Sequence, residues 1–582
     1  MIGRFPILDI SPVTQFGGEF IGAKAIPNEE IAVSATIIRE GHDSFEAHVI
    51  LIDPRGKEVS RVAMREIWPK SNRFEGRIRP SSQGQWQFYI EVIAQNPGEF
   101  KKTLSSASEK FPIHVECERA LVGSWYEFFP RSEGAIKNAD GTIKSGTFKT
   151  ASQRIPAVAE MGFDVLYLPP IHPIGYAHRK GKNNSLNATP TDPGVPWGIG
   201  NADGGHDAIN PELGTMKDFE DFLKVARKNK IEVALDLALQ CSPDHPWVKS
   251  NPEWFTKRDD GTIAYAENPP KKYQDIYPIN FDNDYPGLFT EVLRIVTFWI
   301  DKGVSIFRVD NPHTKPVHFW QELIAAVNKK YPDVVFLSEA FTIPPMMHAL
   351  GKAGFQQSYT YFTWRVTKHE LEEYGREVAH GTSAFFRPNF WVNTPDILPF
   401  HLQSGNPAIF ALRAVLASTM APSWGMYAGY ELYEHIPIAE GKEEYRNSEK
   451  YEIKVRDWNG AAKKGLTLAP YITQLNKIRR DNVALQRLRN IHFHPTDSDQ
   501  IIAYSKREGD NLVLIVVNLD GFHAHETTIH WDMWALGFES DTFQVTDLLD
   551  NSIYNWSRDT FVRLDPARPN GKVAHIARVR VK

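Results

Sequence analysis

From about residue 118 to about residue 485 the chain repeats one unit, a short apolar run of strand character followed by a stretch with apolar residues at helical spacing. Residues 121–126, 163–168, 231–236, 304–309 and 334–339 read as buried strands, short, β-branched or aromatic, and bounded by turn residues. Helices are predicted between them. One lies near 151–161. A second follows Thr215, an N-cap for a stripe of Phe219, Phe222, Leu223 and Ala226; a third carries Leu288, Val292, Val296 and Trp299; a fourth covers 317–329. Weaker strands follow at 355–361, 390–393 and 422–427. Parallel strands need a crossover between them, and a helix is the usual one. Alternation sustained this long therefore predicts a parallel sheet, and eight repeats favour a closed (β/α)8 barrel.

The flanks have a different rhythm. Residues 1–115 hold short β-rich segments at 31–38, 47–52, 73–78 and 86–93, separated by turn signals such as Asp53-Pro54-Arg55-Gly56, and predict a β-sandwich. Residues 94–111, with Asn96-Pro97-Gly98 and a serine-rich stretch, read as a loop or short helix closing that domain. The barrel is assigned to 116–485. Residues 486–582 return to strands, at 501–504, 512–517 and near 542–547, 560–564 and 573–581, and predict a second sandwich.

Bulk properties remove several function classes. A net charge of −5 over 582 residues gives no electrostatic case for nucleic acid or an acidic membrane. The two cysteines, Cys117 and Cys241, stand far apart without metal-ligand spacing, which fits a reducing compartment and no disulfide framework. The N-terminus lacks the apolar run of a signal peptide, so a cytoplasmic location is expected. The longest apolar stretch, 408–422, is broken by Arg413, so no membrane span is expected. With 15 Trp, 20 Tyr and 34 Phe, the chain has many flat faces that could serve cores or sugar rings.

Four carboxylates stand out because each follows an apolar strand: Asp236, Asp310, Glu339 and Asp396. Any one alone could be a helix cap or a paired surface acid. In a barrel all four reach the C-terminal rim, where such folds carry their sites. Arg308 and Asp310 lie two apart and share one face of their strand. A carboxylate beside a guanidinium stays ionised, as a nucleophile must, although structural ion pairs look the same. Two carboxyls on adjacent rim positions suffice for glycoside chemistry. Asp310 is the predicted nucleophile. Glu339, among apolar neighbours, is the predicted acid–base, whose pKa burial can tune to roughly 6–7. Asp396 would bind sugar hydroxyls and help distort the ring. A separation of about 5–5.5 Å between the first two would give a retaining double displacement.

These residues resemble the alpha-amylase clan of glycoside hydrolase family 13: Asp236 with His245, Phe307-Arg308-Val309-Asp310, Glu339, Asp396, and the stretch 205–215 before the third strand. One departure narrows the match. Typical amylases carry a His immediately before the last Asp, whereas this chain has Asn393-Thr394-Pro395-Asp396. That departure, with segments 308–316, 268–275 and 179–184, resembles the bacterial alpha-1,4-glucan:maltose-1-phosphate maltosyltransferases, and the likeness extends to the N-terminal Gly-Arg-Phe-Pro-Ile and to Arg39-Glu40-Gly41-His42-Asp43.

The resemblance implies transfer of a maltosyl unit from alpha-maltose 1-phosphate to an alpha-1,4-glucan through a β-maltosyl ester on Asp310. Glu339 would protonate the departing phosphate oxygen and then deprotonate the acceptor hydroxyl. Asn268, Lys271, Tyr273 and Asn311 would hold the phosphate, Lys180 and Gln240 the maltosyl unit, Arg308 would be a further substrate contact, and Val195 would line the donor pocket. Segment 240–285 would be the small inserted domain of such barrels, and no metal or organic cofactor is required. The family's N-terminal domain usually has a helical insertion at the dimer interface. Here it is missing or vestigial, which predicts a monomer or a weaker dimer. Patterning alone leaves open an amylase-like hydrolase, a trehalose-forming relative, or a non-catalytic glycan-binding protein.

Overall fold

The computed structural model describes residues 5–39, 44–95, 105–268, 271–567 and 572–580. Eight parallel strands form its central sheet: β1 (Gly123–Glu127), β2 (Val165–Leu168), β3 (Glu232–Leu237), β4 (Ile306–Asp310), β5 (Val335–Glu339), β6 (Gln357–Ser358), β7 (Asn389–Trp391) and β8 (Ser423–Tyr427). Strands consecutive in sequence pair along β1 to β6, β8 returns to β1 and also pairs with β7. A parallel bridge between Ser358 and Pro388 joins β6 to β7 and closes the barrel.

The crossover helices form for local reasons. Thr215 and Asp218 make a capping box at the start of helix Met216–Lys228, whose buried face is Phe219, Phe222, Leu223 and Ala226. Helix Tyr285–Lys302 stops at Gly303, whose φ of 103° an L side chain resists. The single helix expected near 151–161 is two, Phe148–Ala151 and Ile155–Glu160, because Pro156 cannot donate a helical hydrogen bond and must sit in a first turn. The apolar run at 408–422 is mostly the core helix Pro407–Met420, with Arg413 buried and its guanidinium donating to the carbonyls of Phe362 and Arg365 at 2.6 and 2.7 Å. Among the described residues no helix is long and apolar enough to cross a membrane.

The period of two along the strands builds the barrel in layers. Trp125, Val165, Tyr167, Ala234, Ile306, Val335, Leu337, Tyr359 and Trp391 fill its interior. Tyr359 and Trp391 stack with ring centroids 5.0 Å apart. One pleat beyond Ala234, Ile306 and Leu337 lie Asp236, Arg308 and Glu339, so the charged residues sit directly on an aromatic plug.

The N-terminal region holds a four-stranded and a six-stranded sheet around Val33, Val49, Phe88 and Ile113. The stretch expected to be a loop or helix after residue 93 differs. Strands Ser105–Ala107 and Phe111–Val115 both pair with Gly84–Ala94, while 96–104 lies outside the described residues. The C-terminal region has a six-stranded antiparallel sheet faced by the pair His525–His530 and Asp559–Leu564. Of the strands that pattern reading missed, Glu58–Ala63 alternates exposed and half-buried positions and so carries little apolar signal, and Ile553–Ser557 buries only Trp556.

Candidate active site

The C-terminal ends of β3, β4 and β5 meet at Arg308. Its Nη1 lies 2.8 Å from Oδ2 of Asp236 and 2.8 Å from Oδ1 of Asp310, and its Nη2 lies 3.2 Å from Oε1 of Glu339. The register accounts for this, since Asp236 pairs with Arg308 and Asp310 with Glu339 across neighbouring parallel strands. Adjacent strands run about 4.8 Å apart. The guanidinium also sits over the rings of Tyr167 and Tyr359, at 5.6 and 5.8 Å.

One guanidinium cannot neutralise three buried carboxylates, and their protonation divides accordingly. Burial pushes Asp310 up, but Arg308, Lys315 and a hydrogen bond from Asn311 Nδ2 at 3.3 Å outweigh it and hold Asp310 below the usual range. Burial pushes Glu339 up to about 7; Arg308 offsets only part of that, and the charge on Asp310 adds to it. Asp236 rises to about 7 for the same reasons, although it accepts from Tyr167 at 2.5 Å and Trp197 at 3.3 Å. Its Oδ1 has no partner among the described residues, so a proton there costs no hydrogen bond.

Asn311 ties the end of β4 to Glu339. It adopts a left-handed conformation, φ 42°, which Asn tolerates, and its backbone N–H donates to Oε2 of Glu339 at 3.1 Å. Lys315 Nζ donates to the carbonyls of Asp310 and Asn311, both at 3.2 Å, and fixes that turn.

Asp310 and Glu339 open into a cavity of about 670 Å³. Asp396, Tyr273, Asn311, Lys180, Gln240 and Val195 also line it. Lys180 donates to Oε1 of Gln274 at 3.1 Å and Gln240 to the Trp197 carbonyl at 3.3 Å. Segments 268–275 and 179–184, distant in sequence, thus face one space. Asn268 and Lys271 end the paired strands Ala266–Asn268 and Lys271–Tyr273; their side chains, Pro269 and Pro270, and Glu40–Asp43 of the N-terminal motif lie outside the described residues.

Two sequence expectations change. Arg308 lies under the cavity floor, bonded to carboxylates. His245, grouped with Asp236 from the sequence, points away from the cavity and bonds His206. Pattern reading also missed Trp197, Lys315 and Lys450. Lys450 Nζ lies 2.5 Å from Oδ1 of Asp396; burial works against its charge, but Asp396 raises its pKa overall. It supplies a cation beside the last Asp, where Pro395 stands in place of the amylase histidine. Lys315 lay inside a quoted motif, whereas nothing local marked Lys450.

The family described as "Alpha-1,4-glucan:maltose-1-phosphate maltosyltransferase, domain N/S" matches residues 3–118, and that described as "GLGE, C-terminal" matches 493–579. The chain is 57% identical to the alpha-1,4-glucan:maltose-1-phosphate maltosyltransferase of Mycolicibacterium smegmatis, covering 99% of this chain and 96% of that protein. It is 48% identical to alpha-1,4-glucan:maltose-1-phosphate maltosyltransferase 1 of Streptomyces coelicolor, with the same coverage. That alignment spans 657 positions against the 582 residues here, so the relative carries residues this chain lacks. Among solved structures, an acarbose-bound alpha-amylase from Geobacillus thermoleovorans superposes with a TM-score of 0.61 at 16% identity, over 79% of this chain and 98% of that one. An alpha-amylase from Lactobacillus plantarum gives 0.58 at 18% identity, over 80% and 99%.

Proposed function

The chain belongs to the alpha-1,4-glucan:maltose-1-phosphate maltosyltransferases, and from that premise we propose how its residues move a maltosyl unit from alpha-maltose 1-phosphate to the non-reducing end of an alpha-1,4-glucan. The observation that carries the mechanism is the division of charge around Arg308. Asp310 is held ionised while Glu339 titrates near neutrality, in one cavity and at paired strand positions.

Asp310 attacks the anomeric carbon, and the bond to phosphate breaks with a proton from Glu339. The product is a β-maltosyl ester on Asp310 with Glu339 ionised. The glucan 4-hydroxyl then attacks the same carbon, Glu339 takes its proton, and the ester breaks. Two inversions retain the alpha configuration. Asp310 and Glu339 stand at paired positions on neighbouring strands and share one guanidinium, an arrangement that supports this reading over an inverting one, whose carboxyls stand about 6.5–9.5 Å apart to admit a water. Asp396, paired with Lys450, binds sugar hydroxyls and helps distort the ring. Tyr273 and Asn311, with Asn268 and Lys271, take the phosphate; a lysine among neutral donors admits a dianion and still lets inorganic phosphate go. Lys180, Gln240 and Val195 take the maltosyl unit.

A sugar phosphate donor fits a cytoplasmic enzyme, and the missing helical insertion fits a monomer or weaker dimer. The decisive experiment measures phosphate release from maltose 1-phosphate with and without a maltooligosaccharide. Release that rises with acceptor, with chains growing by two glucose units per phosphate, is expected. Starch hydrolysis without phosphate release would overturn the reading.

A further inference from the structure

Behind the wall that carries Leu239 and Gln240, three soft donor groups meet. His206, Cys241 and His245 are all buried, and one ligand atom from each lies within 4.8 Å of the others. Hydrogen bonds fix the histidine tautomers. Trp247 N–H donates to Nδ1 of His245 at 3.1 Å, and Nε2 of His206 lies 2.9 Å from the Ala238 carbonyl, which can only accept. Nε2–H of His245 therefore donates to Nδ1 of His206 at 3.1 Å. Both rings are neutral, since burial pushes His206 down to about 4 and His245 down to about 2. The fully buried Cys241 thiol has no hydrogen-bond partner among the described residues.

We propose that His206, Cys241 and His245 form a site for one zinc-class divalent cation. The 3.1 Å between the two ring nitrogens is near the roughly 3.3 Å that separates two imidazole ligands of a tetrahedral zinc with bonds of about 2.0–2.1 Å. A thiolate and two imidazoles are ligands such an ion prefers. Gly205 gives clearance beside the ring, where a β-carbon would stand 2.3 Å from Nε2 of His245. His206 and His245, but not the fully buried Cys241, also line a separate open cleft of about 790 Å³, the side from which the ion and a solvent oxygen for the fourth position would enter. Binding releases the thiol proton to solvent and moves the His245 proton from Nε2 to Nδ1, giving up the bond from Trp247. No electron is transferred. The ion would pin the loop bearing His206 to the chain after β3, whose Leu239 and Gln240 wall the catalytic cavity.

Cobalt(II) tests this in the chelator-treated full chain. One equivalent per chain is expected to give a near-ultraviolet sulfur-to-cobalt charge-transfer band, displaced by zinc. The chain has two cysteines, so retention of the band in Cys117→Ser assigns it to Cys241 without disturbing the buried cluster. Cys241→Ser and His245→Gln should lose tight cobalt binding, and zinc should raise the melting midpoint of the wild type and of Cys117→Ser but not of those two variants. Absence of the band in the wild type, its loss in Cys117→Ser, or its persistence in a folded Cys241→Ser would overturn the proposal.

Discussion

Replacing Glu339 by Gln should separate the two halves of the transfer. In the first half the leaving group is phosphate, whose second pKa is about 6, so it departs with little need of a proton. In the second a neutral sugar hydroxyl attacks, and without a base it does so slowly. General base catalysis is worth about 10²- to 10⁴-fold, or about 3–5 kcal/mol of barrier. The structure indicates that the substitution leaves the nucleophile intact. Asp310 keeps its contacts with Arg308 and Asn311 and the charge of Lys315, and the Gln amide oxygen can still accept the Asn311 N–H. Asp310 also loses a like-charged neighbour. Mixed rapidly with maltose 1-phosphate, Glu339→Gln should release a burst of about one phosphate per chain and then turn over about 10²- to 10⁴-fold more slowly than wild type. Mass spectrometry should find one maltosyl group on the peptide bearing Asp310. If phosphate release and transfer slow equally, with no burst and no adduct, Glu339 is not the base of the second half and the division of labour argued here is wrong.

Pre-steady-state phosphate release should slow only modestly, without stopping, as pH rises through about 7, where Glu339 loses the proton that assists departure, and hold on the acid side until Asp310, kept below the usual carboxylate range, is protonated; a pH profile of that release checks this, and Glu339→Gln should lack the alkaline limb. Arg308→Met leaves three buried carboxyls without their cation and should destabilise the barrel by about 3–5 kcal/mol as well as abolish turnover; denaturant unfolding would contradict this by showing wild-type stability. Light scattering across a concentration series should show a monomer or a dimer that dissociates on dilution, and a dimer stable throughout would count against the proposal that the insertion is missing or vestigial and weakens the dimer.

The barrel was legible because its strands are buried on both faces and its helices, apart from the enclosed Pro407–Met420, on one, so the apolar pattern records both periods. Asp310 and Arg308 were legible because a period of two fixes which strand residues share a face, and Glu339 because it ends an apolar run. Asn268 and Lys271 could be assigned only through the family motif. Three things depended on the tertiary fold. Strand register put Asp310 opposite Glu339 and one guanidinium among three carboxyls, which sets which of them is ionised. Chain closure brought Lys450 to Asp396 across 54 residues, and no local pattern encodes a contact that far off. The path of the chain after β3 turned His245 away from the catalytic cavity toward His206 and Cys241. Periodicity reports which face a side chain takes; only packing decides what it meets there.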